Sequence, residues 1–286
     1  MTGLRLGYGL NGFTDHRLVD ALDVVAGLGY DGVALTLDHA HLDPFGPGLA
    51  DRVRAVARLL RERELDVVVE TGGRYVLDPW RKHHPTFVSE DAERRIRFTE
   101  TALRIAPDLG APVVSCWSGI LPDDVDARTG RERVDRAVER LLPVAAETGT
   151  TLALEPEPGM FLERVGDVTA LIDRFDRPEG LGLTVDVGHL VCTEDDAPGA
   201  VIRDAGGHLV NVQIDDMRRG VHEHLPFGEG EVDLPEAVGA LLDVGYDGLV
   251  HVELPRHTHA APSLARHSIE RLRAALSTAT TRRSVR

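Results

Sequence analysis

Cysteine is almost missing from this chain: Cys116 and Cys192 are the only two in 286 residues, and no CxxC spacing occurs. That excludes a disulfide framework and a zinc ribbon, and leaves both thiols to be read as small buried fillers. Long apolar runs are missing too. The longest, such as "DVVVE" and "LALE", fall far short of the roughly 20 residues a membrane-spanning helix needs. The start, "MTGLRLGYGLNGF", lacks a basic head followed by an apolar stretch of signal-peptide length. A soluble cytoplasmic protein without a membrane partner is therefore expected. Positive charge is in short supply: 32 Lys and Arg against 47 Asp and Glu leave a net charge of −15. Such a surface repels a phosphate backbone and argues against nucleic acid as the partner.

What is present is a large apolar fraction, 42%, enough for one big domain or two ordinary ones. Short apolar runs alternate with longer amphipathic ones. Eight runs read as strands: Leu4 to Gly9, Gly32 to Leu37, Asp66 to Glu70, Pro112 to Trp117, Thr151 to Glu155, Leu181 to Asp186, Leu209 to Ile214 and Leu249 to Glu253. They are rich in Val and Leu and nearly continuous in apolar residues, as strands buried on both faces should be.

Between them lie helical patterns. "TDHRLVDALDVVAGLG" offers Thr14 as an N-cap, and "RVRAVARLLRERE" sets Val53, Val56 and Leu60 on one face. "ERVDRAVERLLPVAAETG" aligns Val134, Val138 and Leu141 and stops at Gly149, while "DLPEAVGALLDVGYDG" starts at Asp233 with Pro235 in its first turn. Eight strand-then-helix units in one domain over 1–276 predict an α/β fold of the (β/α)8 TIM barrel type. The turn Gly-Tyr-Asp-Gly recurs in "GLGYDGVAL" and "DVGYDGLVHVEL", which is good turn chemistry used twice. A doubly wound open sheet is the runner-up, but "LGYGLNGF" spaces its glycines wrongly for a phosphate loop. The tail 277–286, "STATTRRSVR", lacks periodicity and is expected to be disordered.

A barrel carries its active site where its strands end. Strand five ends at Glu155, strand six at Asp186, strand seven at Gln213 and strand eight at Glu253. At any one position an acid after a strand is as readily a helix cap or loop start. On four consecutive strands that reading loses ground. Three carboxylates this close repel unless a cation neutralises them, so a divalent metal is expected. An oxygen-only set of three carboxylates and an amide carbonyl favours Mn2+, Mg2+ or Co2+ over zinc.

"LALEPEPG", "TVDVGH", "NVQIDD", "HLPFGEGEVD" and "GYDGLVHVEL", in this order and at these intervals, resemble the xylose isomerase-like TIM barrels. These are the sugar (phosphate) isomerases and epimerases related to tagatose/psicose 3-epimerase, hydroxypyruvate isomerase, inosose-processing enzymes and endonuclease IV. The resemblance covers nearly the whole chain and is strongest from 150 to 255. It implies Glu155, Asp186, Gln213 and Glu253 as metal ligands, with Gln213 where most such epimerases carry histidine. It further implies a sugar or cyclitol substrate in its open-chain form, proton transfer beside its carbonyl through an enediolate, and Glu155 and Glu253 as the groups that remove and return the proton. His189, three residues after Asp186, matches a histidine that touches substrate in the family or, in the nuclease, a second metal. Homo-oligomers are common among such barrels.

Further substrate-binding candidates lie on the rim. His224, and after it His222, belong to "VHEHLPFGEGEVD"; Arg218 and Arg219 precede them. The long connection "TGGRYVLDPWRKHHPTFVS" carries Arg74 and a basic cluster suited to a phosphate or carboxylate, and its length is that of a lid or binding loop. Glu70 and Trp117 end strands three and four, His39 and His41 follow strand two, and Glu157 lies between Pro156 and Pro158. Each has a plain alternative as a solvated loop or surface residue. The leading reading is a metal-dependent isomerase or epimerase. An inosose-type dehydratase shares its first half-reaction. An abasic-site endonuclease would need histidines where Glu70 and "SCW" stand, and a metabolite-binding barrel without activity would not need the ligand quartet.

Overall fold

The computed structural model describes residues 4–284. Eight parallel strands close a barrel: β1 (Arg5–Gly9), β2 (Gly32–Thr36), β3 (Asp66–Glu70), β4 (Val113–Trp117), β5 (Thr151–Glu155), β6 (Leu181–Asp186), β7 (Leu209–Ile214) and β10 (Leu249–Val252). The order around the barrel is sequential, and β10 closes it against β1. All eight expected strands are in it, with ends displaced by no more than one residue. After β7 the chain inserts an antiparallel hairpin, β8 (Asp216–Arg218) and β9 (Val221–Leu225), which its polar sequence did not announce.

The near-continuous apolar strands follow from burial on both faces. One set of side chains meets the helices in the main core, while Ala34, Val68, Val113, Ala153 and Leu249 form a separate apolar floor inside the lumen. Above that floor lies a hydroxyl and amide layer: the Ser115 and Thr184 hydroxyls are 2.8 Å apart, and Asn211 donates to Thr184 at 3.3 Å. Two residues further along each strand the inward positions reach the rim, because strand side chains alternate.

The helices are α1 (Leu18–Gly27), α2 (Leu49–Glu62), α3 (Glu93–Leu109), α4 (Ala127–Thr148), α5 (Val165–Arg174), α6 (Val187–Thr193), α7 (Pro198–Ala205), α8 (Leu234–Asp243) and α9 (Ala261–Ser284). Val53, Val56, Leu60, Val134, Val138 and Leu141 are buried as their spacing requires. Gly149 ends α4 with φ 65°, a conformation that favours glycine, and the Asp233 side chain accepts from the Glu236 amide at the start of α8.

Two expectations need correction. Thr14 caps nothing: Leu10 and Phe13, both fully buried, draw 10–13 into a 3-10 turn, and α1 starts only at Leu18. The tail is not disordered through 277–284, since α9 runs to Ser284; residues 285 and 286 lie outside the described residues. Small buried residues, Ala275 and Ala279, let α9 continue against α8, and Arg283 pairs with Asp243 at 3.5 Å. Ser and Thr hydroxyls bond back to carbonyls four residues earlier, as Thr278 and Thr280 do. No described helix is long and apolar enough to cross a membrane.

Candidate active site

The strand alternation that builds the floor also aims the rim residues. From β3, β4, β5, β6 and β7, the inward positions two residues above Val68, Ser115, Ala153, Thr184 and Asn211 are Glu70, Trp117, Glu155, Asp186 and Gln213. Glu253 follows β10, two residues after His251. A cavity of about 320 Å³ opens here, lined by Glu70, Trp117, Glu155, Gln213 and Glu253 together with Glu157, His189, His222, His224 and Arg74. Asp186 lies beneath that surface and is 1% exposed. The structure thus brings together every site residue singled out from the sequence except Arg218, Arg219, His41 and, from the basic cluster of the long loop, Arg81 and His84. Arg218 and Arg219 donate instead to the Glu229 and Glu194 carbonyls, and His41 contacts the His16 carbonyl.

Glu155, Asp186 and Glu253 each offer an oxygen within 4.8 Å of the others. Asp186 splits its roles. Its Oδ1 accepts from the Gly188 and His189 amides at the head of α6, while Oδ2 is buried with no hydrogen-bond partner. Gln213 Oε1 is likewise buried and unpartnered. Burial, then repulsion from Glu157, Glu253, Asp186 and Glu70, pushes Glu155 well above the ordinary carboxylate range. Burial, then Glu70, Asp186 and Glu157, does the same to Glu253, against the hydrogen bond from Asn11. Orphaned oxygens and mutually repelling acids fit a cation-binding site, and the four oxygen donors suit a hard or borderline divalent ion.

Gln213 is held in a fixed orientation. Its Nε2 donates to Glu70 at 2.9 Å; His251 Nε2 reaches the same Glu70 oxygen at 3.0 Å and the Thr36 hydroxyl the other at 2.8 Å. Burial pushes Glu70 upward, but the hydrogen bonds and charge of its partners outweigh it and lower its pKa. An ionised carboxylate only accepts, so the Gln213 amide nitrogen must face it and Oε1 must face the site. Glu70 therefore lines the cavity with both oxygens already engaged, one of them by the Gln213 amide.

A histidine cluster stands beside the acids. Hairpin β8–β9 carries His222 and His224 over His189, with ring centroids 4.9 Å and 5.6 Å from it. These three offer ligand atoms within 4.8 Å of one another, as do Glu155, Glu157 and His189, so either group could hold an ion. Asp215 shares a short hydrogen bond with His224 Nδ1. Burial, then the Asp186 and Glu253 charges, raises Asp215 well above its usual range. Burial, then His189, Arg256 and Lys82, lowers His222 to about 4; burial, then its histidine neighbours His189 and His222, lowers His224 well below its ordinary value. Glu157 stands 3.8 Å from His222, so of the two glutamates in "LALEPEPG" one sits with Asp186 and Glu253 and the other by a histidine.

Sequence reasoning passed over Asn11, which donates to Glu253 at 2.9 Å, and also Asp215 and His251. The last two sit two residues from Gln213 and Glu253 on the same strand face, a signal that was available. The connection after β3 is not loose. Arg95 of α3, 2% exposed, donates to the Thr71, His83 and Pro85 carbonyls and lies 4.6 Å from the Trp117 ring. Fixed by that guanidinium, the loop presents Arg74 and Lys82 to the cavity, while Arg256 arrives from the loop after β10.

A sequence profile of xylose isomerase-like TIM barrels matches residues 22–275. The chain belongs to that family. Among curated members, the L-ribulose-5-phosphate 3-epimerase UlaE of Escherichia coli O1:K1 is 25% identical over 253 residues, covering 86% of this chain and 84% of the relative. Among solved members of the fold, an L-ribulose 3-epimerase superposes with TM-score 0.80 at 18% identity, over 99% of this chain and 97% of its own. The Methylomonas D-allulose 3-epimerase in complex with D-allulose gives 0.75 at 20%, over 96% and 98%. The IOLI protein with a binding zinc atom gives 0.76 at 15%, over 96% and 98%. The xylose isomerase-like fold thus extends over nearly the whole chain.

Proposed function

We propose that this member of the family is a divalent-metal-dependent isomerase or epimerase of an open-chain sugar or cyclitol. The observation that carries the reading is the convergence of Glu155 and Glu253, with Asp186, at the open end of the barrel beside unpartnered oxygens of Asp186 and Gln213. Relatives named as L-ribulose-5-phosphate and D-allulose 3-epimerases, and a fold neighbour that binds zinc, support it. Glu155, Asp186, Gln213 and Glu253 would hold the ion. When bound, the metal supplies positive charge that offsets the acids and the negative charge developing on the substrate oxygens.

The chain's own groups do the rest. Glu155 and Glu253 take a proton from the carbon beside the carbonyl and return it, which requires one to be ionised while the other is protonated. Their unequal surroundings serve that division: Asn11 bonds Glu253, whereas Glu155 has Glu157 as its foremost charged neighbour. Trp117 offers an indole to the apolar face of a sugar. His189, His222 and His224 stand within reach of hydroxyl oxygens, and the floor of Ala34, Val68 and Leu249 closes the far end to water.

The test is solvent-deuterium exchange into ketoses, inososes and hydroxypyruvate with added Mn2+, followed by NMR. Deuterium gained with the carbon skeleton and water content intact is expected. Glu155→Gln and Glu253→Gln should each abolish it, and unchanged exchange in both would refute the mechanism. Deuterium gained with loss of water would make the protein a dehydratase on the same site.

A further inference from the structure

The chain contains one lysine. Every other basic residue among its 32 is arginine, yet Lys82 stands at the cavity beside Arg74 and Arg256. Arginine meets the need for positive charge throughout the surface ion pairs, as in Arg104 with Glu147 and Arg203 with Asp243. The single ammonium is a compact point charge on a flexible stem, suited to phosphate oxygens where a planar guanidinium has a fixed fork.

The three cations are also unmatched. Among the described residues, none of Arg74, Lys82 and Arg256 has a carboxylate within the 4.0 Å of an ion pair, although the protein is strongly acidic. Arg81, in the same loop, differs: it pairs with Asp78 at 2.8 Å and does not line the cavity. Arg74 donates to the Pro255 carbonyl at 2.8 Å, which ties its loop to the one bearing Arg256. Burial, then Arg74, depresses the Lys82 pKa, with Arg256 adding to the effect and Glu157 opposing it. These are like charges crowded at the mouth of a pocket, two of them on a loop already fixed by Arg95 and the third on the loop that Arg74 ties to it, so an anion placed among them relieves repulsion and pays little ordering entropy.

We propose that Arg74, Lys82 and Arg256 form a phosphate subsite, and that the substrate is a phosphorylated sugar whose carbonyl end reaches Glu155, Asp186, Gln213 and Glu253. This rests on the isomerase reading above for the identity of the sugar, but not for the binding of phosphate. Cations and acids share one cavity of about 320 Å³, at the small end of ligand pockets, which suits a single sugar phosphate. Three positive charges match a phosphate dianion better than a carboxylate.

Because Lys82 carries the only ε-amine, amine acetylation followed by peptide mass spectrometry reads this subsite directly in the intact protein. Inorganic phosphate should slow acetylation of Lys82 roughly tenfold or more, while acetate at equal ionic strength should not. Arg74→Gln and Arg256→Gln should each weaken the protection, and Arg81→Gln should leave it intact. In turnover, Lys82→Met should lower the preference for a ketose phosphate over the free ketose, as the ratio of kcat/KM values, by roughly 10- to 100-fold. Absence of phosphate protection in the wild-type protein, or equal protection by acetate, would overturn the proposal. Phosphate protection in a protein that exchanges no deuterium into ketose phosphates or into the free sugars above would uphold the subsite and refute the isomerase reading; exchange without protection would do the reverse.

Discussion

Replacing Glu70 separates a residue that orients the proposed metal site from one that merely lines it. In the wild type one Glu70 oxygen accepts from both Gln213 and His251, and the other from Thr36. Glu70→Gln can keep this pattern, with its amide oxygen toward Gln213 and His251 and its NH2 toward the Thr36 hydroxyl, which is able to accept. Glu70→Ala leaves the Gln213 and His251 donors without an acceptor. Each such buried donor costs about 1–3 kcal/mol, less where water from the cavity reaches it, so a total loss of about 2–4 kcal/mol of stability is expected. The larger diagnostic is metal binding: freed of Glu70, the Gln213 amide no longer presents Oε1 in a fixed direction. Loss of such a supporting contact typically weakens metal binding about 10- to 100-fold. Titration of metal-stripped protein with Mn2+, followed by the free-ion EPR signal, should rank wild type above Glu70→Gln and that above Glu70→Ala. A folded Glu70→Ala protein with wild-type Mn2+ affinity would refute the orienting role.

Three further outcomes are expected. Gly188→Ala would place a Cβ 1.9 Å from Asp215 Oδ1, so deuterium exchange should fall more than roughly 100-fold while circular dichroism stays that of a folded barrel, a loss of a few kcal/mol at the site; unaltered exchange would show that Asp215 yields freely. Arg95→Met removes the donors to three loop carbonyls and should cost about 2–4 kcal/mol in urea unfolding, with new proteolytic cleavage in 71–90; resistance equal to wild type would show that the loop is held by other contacts. Burial, then Lys82, Arg95 and Arg74, depresses His83 to about 3 from 6.5, so the unfolded chain takes up a proton there before the folded one does. The contribution is whole above pH 6.5 and is lost as pH falls toward 3, by as much as about 4 kcal/mol at about 1.4 kcal/mol per pH unit. His83→Asn, whose side chain tolerates the left-handed backbone at this position, should flatten the slope of stability in that window, and an unchanged slope would refute the assignment.

The sequence by itself determined the strands. Parallel strands covered by helices outside and by lumen packing inside must be apolar almost throughout, so each announced itself as a Val- and Leu-rich run, and the first polar residue past each run marked the rim. Glu155, Asp186, Gln213 and Glu253 were legible for that reason. Their proximity to one another depended on barrel closure, in which β5, β6, β7 and β10 are consecutive neighbours. Where the local pattern was polar, local reading failed. Hairpin β8–β9 has no apolar period, and α9 is carried to Ser284 by packing of small alanines that no amphipathic stripe reveals.

Only the tertiary structure decided how the rim residues divide their work. Glu70 and Glu155 look alike in sequence, each an acid closing a strand. One is ionised and occupied by donors from β2, β7 and β10, while the other is pushed toward its neutral form by surrounding acids. Lys82 was visible as a composition anomaly, a single ammonium among arginines, but its place over the cavity depends on Arg95, which lies on the next helix and is buried against Trp117. A strand's own residues fix which side chains point inward. The charge each of them carries is set by neighbours that the closed barrel brings from the rest of the chain.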